Sequence, residues 1–275
     1  MSLKSVAAAV VMTTLACGGG GGTAQNAKPG TPIDLGRAPE ASDARLAWAI
    51  AGEQRTEQAR LRDVYRHPKE TLAFFGITKD SRVVELWPGG GWYTEILAPF
   101  LRDSGKLGVT STDPALEKKL GASPGIYGKV EFHHVTPPGD IVLGPDGSAD
   151  VVVTFRNFHN WVQGGFEKNV VDAAFKVLKH GGVFGVVEHR GDADEDLKTI
   201  KETGYVPEHV VVELAQTAGF KLAGKSEVNA NPNDDHKHES GVWALPPSYA
   251  NRTKDHDKYS AIGESDRMTL RFEKP

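Results

Sequence analysis

The sequence predicts a doubly wound α/β fold built on a mostly parallel, seven-stranded sheet. Two observations lead there. Short β-branched runs alternate with amphipathic stretches from Arg82 onward, and the first run ends in an acid followed by a glycine-rich turn and a helix. Repeated strand–helix alternation is the pattern of βαβ units, whose crossovers leave neighbouring strands parallel.

Strands are expected at 82–86, 106–110, 130–135, 149–155, 182–188, 220–228 and 267–272, the last with Met268, Leu270 and Phe272 on one face. Helices are expected between them at 92–101 and 165–179. In the second of these, Phe166, Val170, Val171, Ala174, Phe175 and Leu178 recur at helical spacing and form a face for the sheet, with Gly181-Gly182 as its stop. A further helix over 207–217 stops at Ala218-Gly219 and leads into the sixth strand. Ahead of the core, the pattern turns helical from Ser42, breaks at His67-Pro68, and resumes as a short helix over 69–75 stopped by Gly76. The polar segment 229–266 is too long for a hairpin turn; with Trp243, Tyr249 and Tyr259 it reads as a flap over the carboxyl edge of the sheet, anchored by Trp243 against substrate.

A chain of 275 residues, 39% hydrophobic and 25% charged, suffices for one core and some extras. A formal net charge of −4 gives no electrostatic reason to expect nucleic acid as a partner. Residues 1–17 read as a signal peptide: Lys4 flanks an apolar run over 6–16 that is too short to span a membrane. Thr14-Leu15-Ala16-Cys17 resembles the lipobox of bacterial lipoproteins, although that pattern has leucine where Thr14 stands and a small residue where Leu15 stands. Cys17 is the only cysteine, so no internal disulfide accounts for it, and lipidation there is the expectation. Residues 18–40 begin with five glycines and bury almost nothing; they read as a flexible tether to a folded domain over 41–275. The protein is thus expected to be exported and held in the cell envelope by a lipid, facing the periplasm.

The most informative stretch is VVELWPGGGWYTEIL at 83–97. A turn without side chains lets a ligand lie against backbone at the carboxyl edge of a parallel sheet, where amides and a helix N-terminus favour polar or negative groups. The dinucleotide fingerprint requires a third small residue, but Gly89 and Gly91 are followed by Thr94, which weakens a nicotinamide reading. These residues resemble the first motif of the class I S-adenosylmethionine-dependent methyltransferases, in particular a bacterial branch of predicted methyltransferases with Trp-Pro-Gly-Gly-Gly-Trp-Tyr in that place. The resemblance runs from Arg66 to Pro275 through RHPKETLAFFGI at 66–77, DGSADVVVTFRNFHNW at 146–161, LKHGG at 178–182 and DRMTLRFEKP at 266–275.

The resemblance implies a Rossmann-like methyltransferase sheet with its last strand antiparallel, S-adenosylmethionine as cofactor and a small-molecule acceptor. Carried over, Glu85 orients the methionine end of the cofactor, Pro88, Gly89 and Gly91 line it, and Asp113 binds the ribose hydroxyls. The sequence departs from the pattern twice. Trp87 stands where glycine is common, a bulk that would narrow the pocket, and the position expected for the ribose acid holds Ser111, two residues early on the same strand face as Asp113.

Methyl transfer is an in-line displacement at a sulfonium, so the protein mainly aligns a nucleophile and takes its proton. After the fourth strand, His159 is placed to be that base and Asn157 to position substrate; a hydrogen-bonded structural histidine is the competing reading. Glu188-His189-Arg190, ending the fifth strand, would bind substrate through His189 or form a surface ion pair. The Asp234-Asp235-His236-Lys237-His238 run reads as a solvated loop more than a metal site, His133-His134 as the end of the third strand, and no metal is expected. Because S-adenosylmethionine is made in the cytosol, an exported enzyme needs a supply outside it. The rival reading is therefore a non-catalytic binding lipoprotein on the same fold.

Overall fold

Among the described residues eight strands form one sheet: β1 (Arg82–Leu86), β2 (Lys106–Ser111), β3 (Glu131–His134), β4 (Ala149–Phe155), β5 (Leu178–Gly191), β6 (Val206–Pro207), β7 (Lys221–Ser226) and β8 (Arg267–Glu273). The computed structural model describes residues 33, 35–111, 114–139 and 141–275. The strand order is β3-β2-β1-β4-β5-β8-β7, with β6 pairing β5 off that path. β1 to β5 run parallel, and β8 lies antiparallel between β5 and β7. The expected seven strands and the antiparallel last strand are all present. The additional β6 is two residues long, too short to leave a periodicity.

Alternation along the central strands sends successive side chains to opposite faces, and both are covered. Val84, Leu86, Val152, Val186 and Leu270 face the helices Phe158–Gly164, Glu167–Val177 and Glu208–Thr217. Val83, Val109, Val151 and Val153 face the helix Thr94–Leu101 and the amino-terminal helix Ser42–Ala51. The amino-terminal helix is locked by Arg45, which donates to the Phe100 carbonyl at 2.7 Å and pairs with Asp103 at 2.5 Å. Sheet order reverses between β1 and β4, which opens a crevice at their carboxyl ends.

Two expectations are corrected. The helix after His159 ends at Val177, and Gly181-Gly182 lie inside β5 instead of stopping it. The reason is a tertiary demand on their backbone: Gly181 N–H donates to the Lys274 carbonyl at 2.7 Å, and Lys274 N–H to the Gly182 carbonyl at 2.9 Å. The 234–238 run is likewise not a solvated loop. Asp234 is buried and accepts from the Tyr205 hydroxyl at 2.9 Å, from His238 Nε2 at 2.8 Å and from the Asp266 N–H at 2.8 Å. Burial works against its charge, but these donors hold its carboxyl below the ordinary value. The segment 229–266 is therefore ordered, with a 3-10 turn at Gly241–Ala244, a helix at His256–Ile262 and a small core of Ala244, Leu245 and Tyr259.

Candidate functional site

The glycine turn leaves β1 at Trp87, whose φ of 44° is left-handed, as are those of Gly89 (57°) and Gly91 (82°). The turn is closed by Gly91 N–H donating to the Pro88 carbonyl at 2.9 Å. Trp87 N–H donates to Thr110 Oγ1 at 2.6 Å, and its indole packs edge-on to Trp161 at 5.4 Å and near Phe166 at 6.2 Å. The unusual backbone thus turns the large side chain toward the helical layer, against the helix Phe158–Gly164. Asn157 holds this geometry: its Nδ2 donates to the carbonyls of Leu86 and Trp87, both at 3.0 Å. With that nitrogen spent on the ends of β1 and β4, Asn157 shapes the turn, and only its Oδ1 is left for a substrate.

A Cβ at Gly89 or Gly90 would meet no heavy atom within 4 Å, so the turn faces open space. At Gly91 it would lie 2.9 Å from Leu116 Cδ1, because the helix Pro114–Gly121 rests on that side of the turn. Lys119 of the same helix donates to the Gly90 carbonyl and pairs with Glu95, each at 2.7 Å. Beneath the turn Glu85 is buried, and Thr94 Oγ1 donates to its Oε2 at 2.6 Å. Burial pushes the Glu85 carboxyl up to about 8, against the opposing pull of that one hydrogen bond. Asp113 and Cys17 lie outside the described residues.

Across the crevice, β4 is followed by another left-handed residue, Arg156 (φ 60°), and the next turn carries His159. Glu188, fully buried at the end of β5, accepts backbone N–H groups from Phe158 at 2.5 Å and His189 at 2.8 Å, and faces His159 Nδ1 at 3.0 Å. The backbone N–H groups and the His159 ring thus converge on one buried carboxyl, which fixes the orientation of the imidazole and leaves its Nε2 on the far side of the ring. The acid of Glu188-His189-Arg190 is therefore neither exposed nor substrate-facing; it orients His159. Arg190 makes the surface ion pairs, with Glu227 at 2.7 Å and Asp266 at 2.9 Å. Sequence reasoning placed Glu188 at the right edge, but its partner depends on β4 and β5 being neighbours in register.

His189 is buried 5.2 Å from His159, ring centre to ring centre, with Nδ1 2.5 Å from Ser265 Oγ. Burial first, then the neighbouring His159, Arg156, Arg267 and Arg66, push its pKa well below the usual value and keep it neutral. Trp243 is half-buried and meets the His159 ring edge-on at 5.9 Å, so the 229–266 segment does reach the carboxyl edge. His159, Glu188 and His189 could each offer one ligand atom within 4.8 Å of the others. Both Glu188 oxygens, however, already accept hydrogen bonds. His133-His134 end β3, as expected.

No family model matches the sequence, and a search of curated proteins finds no match. Many solved structures share the fold. A SAM dependent methyltransferase from Aquifex aeolicus superposes with a TM-score of 0.52 at 15% identity, covering 78% of this chain and 93% of that one. The CurJ carbon methyltransferase gives 0.52 at 12% identity, covering 84% and 59%. The [4+2]-cyclase SpnF gives 0.54 at 18% identity, covering 76% and 80%. The chain thus has the Rossmann-like methyltransferase fold, a fold on which the chemistry is not uniform.

Proposed function

We propose that this chain is an S-adenosylmethionine-dependent methyltransferase acting on a small molecule. The observation that carries the proposal is convergence: the open glycine turn, the buried Glu85 and the His159–Glu188 pair all lie at the carboxyl ends of the strands, where sheet order reverses. The residues fit the cofactor, because Gly89 and Gly90 leave space above the backbone and Glu85 is a buried carboxyl with no cation beside it. When bound, S-adenosylmethionine supplies an electrophilic methyl group on a sulfonium.

The chain's own residues do the rest. Glu85 orients the cationic methionine end, Pro88, Gly89 and Gly91 line it, and Asp113 takes the ribose hydroxyls. His159 Nε2 accepts the proton of the acceptor's nucleophile, while Glu188 orients the ring and stabilises the imidazolium that forms. His189 and Trp243 border the acceptor. Calorimetry of the purified protein against S-adenosylmethionine and its demethylated product is the direct test. Gly89 is a poor place to block the site, since its φ of 57° strains any side chain. Gly90 has no left-handed φ and faces open space, so Gly90→Val should weaken binding about tenfold or more and leave the fold intact. Unchanged affinity in that variant, or tighter binding of NAD, refutes the assignment.

A second reading, a binding protein without transfer activity, is favoured by the contacts of Leu116 and Lys119, which close the helix Pro114–Gly121 onto the turn. It predicts no heat with either cofactor form. Export and lipid anchoring through Cys17 complete the proposal and rest on residues 1–40 of the sequence. Among the described residues no helix is long and apolar enough to cross a membrane. Cys17→Ser should move the protein from the membrane fraction to the soluble one, as acyl chains would supply the attachment; equal membrane association of both forms contradicts the anchor.

A further inference from the structure

Near His189, close enough for Arg156, Arg267 and Arg66 to act on it through space, lies a cluster in which cations outnumber anions. Arg62 Nε donates to Glu264 at 2.6 Å, Arg66 Nε at 3.0 Å and Arg267 Nη1 at 3.1 Å, so three guanidinium groups share one buried carboxylate. Burial opposes the charge on Glu264, but Arg66, Arg267, Arg156 and Arg62 hold its pKa at about 2. Arg267 is fully used, since it also donates to the carbonyls of Ser265 and Tyr65. The other arginines are not. Nη2 of Arg66 and Nη2 of Arg62 are buried without a hydrogen-bond partner, and Arg66 is only 2% exposed.

Arg156 is the fourth cation. Its side chain makes no hydrogen bond or ion pair among the described residues, although Glu264 and Glu188 lie near enough to act on it through space. Burial lowers it to about 10, and burial together with Arg156 lowers Arg66 well below its usual value. Arg66 also lies 4.6 Å from the ring centre of Trp92, the residue following the glycine turn, and its carbonyl accepts from Tyr93 at 3.0 Å. Arg156 precedes His159 by three residues on the same corner of β4. Arg66 therefore lies against the residue that follows the glycine turn, and Arg156 lies on the corner that carries His159.

Buried guanidinium groups that lack partners are costly, and native proteins pair them. The missing partner is an anion, and planar guanidinium forks match oxyanions bidentately. We propose that Arg156, with the free Nη2 groups of Arg66 and Arg62, binds a carboxylate or phosphate group of the small-molecule acceptor and so sets its nucleophile against His159. This rests on the methyltransferase reading for the word acceptor, but the anion site itself does not.

The test uses the full-length protein with inorganic phosphate and with acetate as probes, against sodium chloride at equal ionic strength. The native protein should gain thermal stability saturably with at least one of the two oxyanions, and which one responds distinguishes phosphate from carboxylate. Arg156→Gln should weaken that binding at least about tenfold. Arg66→Gln, which also breaks a pair with Glu264, serves as a second variant read by the ratio of midpoints with and without anion. No response beyond chloride, or an undiminished response in Arg156→Gln, overturns the proposal. Calorimetry with S-adenosylmethionine on the same samples separates the readings: cofactor binding without an anion response removes only the anion site, and the reverse removes only the methyltransferase assignment.

Discussion

Glu85→Gln should make the protein more stable at pH 8 than the native chain and should erase most of the native pH dependence between pH 5 and 8. The folded pKa of Glu85 is raised from 4.5 to about 8 by burial. A group raised in this way binds its proton more tightly in the folded state. Its contribution is fully present below the unfolded pKa and is lost as pH rises through the folded one. Between pH 5 and 8 the loss is on the order of 3 kcal/mol, and glutamine, neutral throughout, does not suffer it. Chemical denaturation of both proteins at pH 5, 6.5 and 8 reads the effect, and parallel stability profiles would show that Glu85 does not titrate as described. The same residue should dominate cofactor recognition. A cationic ligand settling beside Glu85 stabilises its carboxylate and releases a proton, so the binding enthalpy should vary with the ionisation enthalpy of the buffer in the native protein and not in the variant.

His159→Gln should lower methyl transfer by roughly a hundredfold or more, the scale of a lost general base, with cofactor affinity unchanged. Since Glu188 faces His159 Nδ1 at 3.0 Å, Glu188→Gln should also lose turnover by loosening the orientation of the ring. It should lose stability as well, because three backbone N–H groups point at that carboxylate. The measurement is incorporation of label from methyl-labelled cofactor into a small-molecule extract. If His159→Gln transfers label as the native protein does, His159 is a structural histidine and the base lies elsewhere. The glutamine variant is the informative choice, because it keeps the volume between His189 and Trp243.

The strand–helix alternation, the glycine turn behind an acid, the antiparallel closing strand and the arrival of Trp243 at the carboxyl edge were all legible in the sequence. Each rests on local periodicity, on turn chemistry or on a family pattern carried within a short window. Strand boundaries such as 82–86 and 149–155 came out to the residue, because both ends carry their own punctuation. What tertiary structure alone decided are pairings between distant residues. Trp87 departs from the expected glycine, yet only the fold gives it a left-handed φ and a contact with Trp161. Asn157 reads in the sequence as a substrate ligand, and only the fold shows that its Nδ2 holds the Leu86 and Trp87 carbonyls. Asp234 looks solvated because its partners Tyr205 and Asp266 lie 29 and 32 residues away. Glu188 acquires a role only when β5 pairs beside β4, and the arginines converge on Glu264 from up to 202 residues away. A buried polar group is stable only through its partners, and a partner that the fold brings from another element leaves no mark on the sequence around it.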